Sequence, residues 1–306
     1  MIFDDLDAIT NLSSHKYAHA LGKEKKARKS ATSHRSNMML NPLVLKHFNR
    51  IDESTADVIT LNLEDAIAPS RKQEALHNIA LFLSHLKSAN AMIVVRTNPL
   101  DQGGVEEIRF LNDFGFDAIR LSKVKSPYEI EQALALLSPE KELHISLETK
   151  EAFADIAALK IDERFTTANL GILDLLASLG LPQSIVQVGN PTVDYVLSKF
   201  LIDAKTAGLH PVSFMFQDYH DTSTFQAWCR HECAMGFDSK ACMGPKQVEI
   251  ANAVFGTSPE ELVRAKHIKQ SFERQAAEGN HGFMDAAYGF IDEPIYKDAL
   301  RLLRLG

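Results

Sequence analysis

A chain of 306 residues, 45% of them apolar and 24% charged, can bury a full core and lies near the upper limit for one domain. A formal charge of -7 argues against binding a phosphate backbone over most of the surface, so a small-molecule substrate is expected and nucleic acid is not. Cys229, Cys233 and Cys242 show no CxxC spacing, no run of about 18 apolar residues is present, and "MIFDDLD" lacks the form of a signal peptide; these exclude a disulfide framework, a zinc-ribbon site and a membrane span, and the expected location is the cytoplasm.

Residues 1–34 differ from the rest of the chain, since "GKEKKARKSATSHR" is basic, polar and without an apolar period, and reads as a solvated, partly ordered extension. From Arg35 onward, short apolar runs alternate with amphipathic segments. The runs "NMML", "VITLNL", "MIVVRTN", "AIRLSKV", "HISLET", "ANLGI", "PVSFMF" and "KACMG" predict eight strands. Between them, "SRKQEALHNIALFLSHLK" and "SPYEIEQALALL" carry apolar residues at helical spacing, and Ser70 with Gln73 forms a capping-box start for the first of these helices. Strands alternating with helices imply right-handed βαβ units, and eight units close a (β/α)8 TIM barrel, here spanning 35–255. An open doubly wound sheet is the alternative, but it lacks the glycine-rich phosphate turn expected after the first strand. Residues 256–306 form a C-terminal helical extension: "SPEELVRAKHIKQSFERQAAEG", a Gly-rich turn, then "DEPIYKDALRLLRL".

In a barrel of this kind the C-terminal strand ends share one mouth, where active sites are built. There the chain places Glu64 and Asp65 after the second strand, Arg96 and Asn98 after the third, Lys123 on the fourth, Glu148 on the fifth and Asp174 after the sixth. Each has an ordinary explanation by itself: Asp174 as a helix cap, Lys123 as a solvated charge, Arg96 as the partner of a structural acid. Their convergence points to a site. Glu148 and Asp174 end adjacent strands and suit one Mg²⁺ that leaves its other positions to water and substrate. Arg96 offers a planar fork for a substrate carboxylate, with Glu64 and Asp65 accepting from metal-bound water or orienting Arg96. Nothing marks Lys123 as a Schiff-base lysine, so a metal-dependent route is preferred.

Seven segments carry a resemblance: "LNLEDAIAPSRKQEA", "VRTNP", "LSKVKS", "SLETKEAF", "GILDLLASLG", "MGFDSKACMGPKQVEI" and "GFIDEP". In this order they resemble the HpcH/HpaI aldolase family, in its citrate lyase beta subunit-like branch, which includes malyl-CoA and citramalyl-CoA lyases. The resemblance implies a TIM barrel in a homo-oligomer, a trimer or hexamer, with Mg²⁺ (or Mn²⁺) on Glu148 and Asp174. It also implies that Arg96, with Asn98 and Lys123, holds a 2-oxo acid, and that the reaction cleaves a 3-hydroxyacyl thioester of coenzyme A into an acyl thioester and that oxo acid. Asp292 matches a general acid on a C-terminal lid that closes over a neighbouring subunit, with Gly282 and Gly289 as its hinge; Asp292 also reads as a helix N-cap. The chain departs from the family pattern at Leu173 and Ser178, where acids are usual, at Gly244-Pro245 in place of His-Pro, and at Asn41-Pro42-Leu43 in place of a Pro-Gly loop. The last two positions lie where the family holds the thioester cofactor. Two other readings therefore stay open: an aldolase acting on free hydroxy-oxo acids without coenzyme A, and a non-catalytic barrel descended from such a lyase.

Overall fold

The computed structural model describes residues 1–10, 14–27 and 34–305, and contacts divide the chain into two compact units, Met1–Val254 and Phe255–Gly306. Residues 28–33 of the basic N-terminal segment lie outside the described residues. In the first unit, helices α1 (Leu6–Thr10) and α2 (Ser14–Ala20) precede eight strands: β1 (Ser36–Leu40), β2 (Val58–Asn62), β3 (Met92–Arg96), β4 (Ala118–Leu121), β5 (Glu142–Leu147), β6 (Phe165–Leu170), β7 (His210–Val212) and β8 (Lys240–Cys242). All eight predicted runs are strands. They pair in parallel in the order β7-β6-β5-β4-β3-β2-β1-β8. A parallel bridge between Ser213 and Lys240 brings the two ends of that order together, with Ser213 N–H donating to the Ser239 carbonyl and Ala241 N–H to the Ser213 carbonyl, both at 3.0 Å. The fold is the expected (β/α)8 TIM barrel.

The outer layer is α3 (Leu45–Phe48), α4 (Lys72–His85), α5 (Gly104–Leu111), α6 (Pro127–Leu136), α7 (Lys150–Ala154), α8 (Ile156–Leu159), α9 (Ile172–Ser178), α10 (Pro191–Thr206), α11 (Thr222–Met235) and α12 (Pro245–Val254). Strands β2 and β3 are buried at all five positions, as parallel strands covered on both faces must be. Helix α6 starts on a capping box of Ser126 and Glu129 with Pro127 in its first turn. The box expected from Ser70 and Gln73 does not form. Pro69 instead opens a 3-10 turn, Pro69–Arg71, and α4 begins at Lys72 without a side-chain cap.

Inside the barrel the register runs obliquely. Asn62 pairs with Arg96, Arg96 with Arg120, Arg120 with His144, His144 with Thr167 and Thr167 with His210, so one line of partners descends from the C-terminal end of β2 to the first residue of β7. The interior carries polar side chains, several of them paired: Asn37 Nδ2 donates to Asn169 Oδ1 at 3.0 Å, Thr60 Oγ1 to Asn37 Oδ1 at 2.7 Å and Arg120 Nε to Ser146 Oγ at 2.8 Å. At the opposite end from the mouth, the N-terminal segment is tied down by Lys26, whose buried ammonium meets both Asp117 carboxylate oxygens at 2.8 and 2.7 Å.

The same end gathers His34, His144 and His210. The His34 and His210 rings are 4.4 Å apart, and among the described residues His34 Nδ1, both His144 nitrogens and His210 Nε2 are buried without hydrogen-bond partners. Burial, reinforced by the neighbouring histidines, pushes His34 down to about 4 and holds His210 well below its usual range; burial also lowers His144, there opposed by Glu142. The unfolded chain therefore takes up protons below about pH 6.5 while the native state does not, so native stability is full above that pH and is lost as pH falls toward 4. We expect the melting temperature to drop by several degrees between pH 7 and pH 5, and His34→Phe to flatten that drop. An unchanged profile in the variant would assign the acid sensitivity to other groups.

In the second unit, α13 (Pro259–Ala277) starts on a Ser258–Glu261 capping box and α14 (Glu293–Leu305) comes after a hairpin of β9 (Gly282–Asp285) and β10 (Gly289–Asp292). Ala265, Ile268, Phe272, Ile291 and Ala299 form its core, and Phe272 stacks on Tyr296 at 4.4 Å. The sequence predicted only a Gly-rich turn between the helices. The hairpin instead pairs Gly282 with Asp292 and Gly289 with Asp285, so both expected hinge glycines sit in a ladder; Gly289, at φ 76°, takes a conformation that favours glycine.

Candidate active site

The site begins where β2 ends. Asn62 donates its side-chain amide to the Asp65 carbonyl, and Ala66 turns the chain through a positive φ of 70°, leaving Glu64 buried and Asp65 exposed. Arg96, at the end of the neighbouring β3, reaches the acids of both adjoining strands: its Nη2 lies 2.8 Å from Glu64 Oε2, 3.2 Å from Glu148 Oε2 and 3.9 Å from Asp65 Oδ2. Its Nε donates to Ser122 Oγ at 3.1 Å. This locks the guanidinium plane, and among the described residues Nη1 has no partner, which leaves its two N–H donors for a ligand.

Lys123 comes just after β4 at φ 53°, a conformation costly for a residue with a Cβ. Its N–H donates to Glu148 Oε1 at 2.8 Å and its ammonium lies 3.1 Å from Glu64 Oε1, so the unusual turn is held by two members of the site. Burial works against the Lys123 charge, but the Glu64 contact, with Asp65 and Asp174 beyond it, holds its pKa above the ordinary value. Glu148 is buried at the end of β5. Burial raises its pKa, opposed by Arg96 and Arg120. Burial also pushes Asp65 up to about 6, together with its contact to Glu64, while Glu64 itself, despite burial, is held low by Arg96, the Asp65 N–H and Lys123.

Asp174 lies exposed in the first turn of α9, and Gly171, directly after β6, makes room beside Glu148. A Cβ at Gly171 would stand 2.7 Å from Glu148 Oε2 and 2.8 Å from Glu148 Cβ. The residues fit a hard cation. Three cations (Arg96, Arg120, Lys123) face four carboxylates (Glu64, Asp65, Glu148, Asp174), and the open side of Glu148 adjoins the Gly171 backbone. Among the described residues no group of three or more His, Cys, Asp and Glu could hold a metal alone, so an ion here would draw further ligands from water and substrate, as Mg²⁺ commonly does. Gly171→Ala should therefore weaken Mg²⁺ binding by about tenfold or more with a small change in melting temperature, read by calorimetry and thermal shift. Unchanged affinity would remove Glu148 as a ligand.

Asn98 is placed at the mouth but fully occupied. Its amide donates to the Leu63 carbonyl at 3.1 Å and to Glu107, its oxygen accepts from Lys72, and its N–H donates to Glu107 Oε2 at 2.8 Å. That arrangement latches the loops after β2 and β3. Asp292 belongs to the second unit, where its Oδ1 accepts from Ile295 N–H at 3.2 Å and caps α14. Sequence reasoning did not assign Arg120 or Ser122 to the site; alternation on "AIRLS" was the available signal, since both point inward at i, i+2 spacing.

Beside the mouth, past the ends of β1 and β8, a cavity of about 760 Å³ is lined by residues that include Leu40, Lys46, Arg50, Tyr219, Met243 and Gly244.

The sequence pattern of the HpcH/HpaI aldolase/citrate lyase family matches residues 41–245. A (3S)-malyl-CoA thioesterase of Cereibacter sphaeroides is 30% identical over 73% of this chain and 78% of its own length. An L-malyl-CoA/beta-methylmalyl-CoA lyase of Rhodobacter capsulatus is 28% identical over 76% of this chain and 82% of its own. Among solved structures, a citrate lyase from Burkholderia xenovorans superposes with a TM-score of 0.76 at 16% identity, over 88% of this chain and 90% of that one. The CitE protein of Mycobacterium tuberculosis in complex with magnesium, acetoacetate and coenzyme A does so at 0.68 and 21% identity, over 90% and 98%.

Proposed function

Because the chain belongs to the HpcH/HpaI aldolase/citrate lyase family, we propose that it is a Mg²⁺-dependent carbon–carbon lyase that cleaves a 3-hydroxyacyl thioester of coenzyme A into an acyl thioester and a 2-oxo acid. The observation that carries this reading is the locked Arg96, held by Glu64, Glu148 and Ser122 beside the carboxylates suited to the metal. Glu148 and Asp174 would hold the ion, whose chemistry is to polarise the hydroxyl and carboxylate oxygens of the substrate. Arg96 binds the carboxylate next to the hydroxyl-bearing carbon, and Lys123 supports it electrostatically. Asn98 acts as a positioning residue. Asp65, with a pKa of about 6 and an exposed carboxylate, is poised to take the hydroxyl proton, Glu64 keeping it oriented. The bond between the hydroxyl-bearing carbon and the carbon next to the thioester then breaks; its electron pair passes to the thioester enolate, which Asp292, brought by a neighbouring copy of the chain, protonates. An assembly of such copies is part of the proposal.

The test is to supply Mg²⁺ with malyl-, citramalyl- or citryl-coenzyme A and to measure both the 2-oxo acid and free thiol. Release of oxo acid without thiol supports the lyase. Thiol release without oxo acid would instead make the chain a hydrolase, a second reading favoured by the name of the thioesterase relative. Turnover of free hydroxy-oxo acids alone would remove the thioester from either.

A further inference from the structure

Lys72 stands where helix electrostatics disfavours it. It is the first residue of α4, where the free N–H groups repel a cation, and α4 has no side-chain cap to offset this. The partners of its half-buried ammonium lie outside the helix: it donates to the Leu63 carbonyl at 3.1 Å, to the Glu64 carbonyl at 3.3 Å and to Asn98 Oδ1. Its counter-charge is Glu107, reached through Asn98, whose side-chain amide and backbone N–H both donate to that buried carboxylate. Burial raises the Glu107 pKa, and the Asn98 donors and Lys72 oppose it. A cation on one side and a carboxylate on the other fix which way the Asn98 amide points.

These groups meet on the turn that carries Glu64 and Asp65. Three successive carbonyls there are each held by a side chain: Leu63 by Lys72 and Asn98, Glu64 by Lys72, and Asp65 by Asn62. The peptide between the two acids is pinned on both edges, because the Asp65 N–H donates to Glu64 Oε2. Ala66, next in the chain, sits at φ 70°, a conformation costly for a residue with a Cβ, so the turn persists only while its surroundings hold it. We infer that Lys72 is a positioning residue for the reaction: through the carbonyls of Leu63 and Glu64 it fixes the turn at which the two acids part, Glu64 inward to Arg96 and Asp65 outward to the mouth. This inference rests on the reading in which Asp65 takes the hydroxyl proton.

The experiment crosses Lys72→Met with Asp65→Asn, measuring kcat and KM for the thioester found to turn over, Mg²⁺ affinity by calorimetry, and melting temperature. Lys72→Met keeps an apolar stem and removes every donor; it should lower kcat about tenfold or more, with KM and Mg²⁺ affinity changed less than about twofold. Lys72→Arg, which keeps a charged donor, should retain most of kcat. Asp65→Asn alone should lower kcat about a hundredfold, and the double variant should lose no more than Asp65→Asn alone, because Lys72 then has no base left to position. Lys72→Gln takes the place of Lys72→Met in the cycle if the methionine variant fails to fold. Wild-type kcat in Lys72→Met, additive losses in the double variant, or a fall in melting temperature without a fall in kcat overturns this inference and leaves the lyase reading standing. Wild-type kcat in Asp65→Asn removes the base and this inference with it, while the metal and Arg96 half of the reading stands. Wild type that turns over no thioester overturns both.

Discussion

Glu148→Gln is expected to lower kcat at least a hundredfold, roughly, and to weaken Mg²⁺ binding, while the fold persists. Glutamine retains an oxygen that can accept from the Lys123 N–H, 2.8 Å away in the native protein, but loses the charge that meets Arg96 and that the proposed cation would need. In an open, solvated mouth even alanine here would be expected to cost little stability. The structure corrects that expectation: Glu148 is buried, and alanine would unpair one side of Arg96 and release the turn at Lys123. Breaking a buried pair costs about 3–5 kcal/mol, and Glu64 remaining on Arg96 places Glu148→Ala toward the lower end. Isotherms for Mg²⁺, with turnover, check this; a glutamine variant that binds Mg²⁺ normally would move the metal elsewhere.

Arg96→Lys keeps the charge and should still lose roughly two orders of magnitude in kcat/KM. A guanidinium serves Ser122 through Nε and Glu64 and Glu148 through Nη2 at once, leaving Nη1 for a ligand. An ammonium is one point and cannot hold that plane. Each charge-assisted hydrogen bond lost is worth about 1.5–3 kcal/mol, which sets the size of the effect. The loss should fall on oxo-acid binding, measured as the dissociation constant of pyruvate or glyoxylate with Mg²⁺ present. A variant with full activity would mean that Arg96 serves the acids around it and touches no substrate.

Much of the barrel was legible in the sequence because strand and helix signals are local. Val58–Asn62 and Met92–Arg96 are apolar runs with polar boundaries, "SPYEIEQALALL" carries the helical spacing of α6, and the alternation of such units leads to a parallel sheet whose strand ends share one face. That was enough to bring Glu64, Asp65, Arg96, Lys123, Glu148 and Asp174 to the mouth as candidates. Their partnerships were not legible. The oblique register of the barrel decides that Arg120 stands beside Arg96 and that His144 and His210 fall to the far end, and register is a property of closure, not of any one strand. The same holds wherever distant segments compete for one space. Lys26 is buried because Asp117 waits 91 residues away, Gly171 is bare because Glu148 occupies its side-chain volume, and Gly244 because Tyr219 does. Composition and period thus determined the elements and the chemistry available at their ends, whereas only the packed structure decided which charge meets which, since those contacts depend on atoms far apart in the chain competing for a few ångströms.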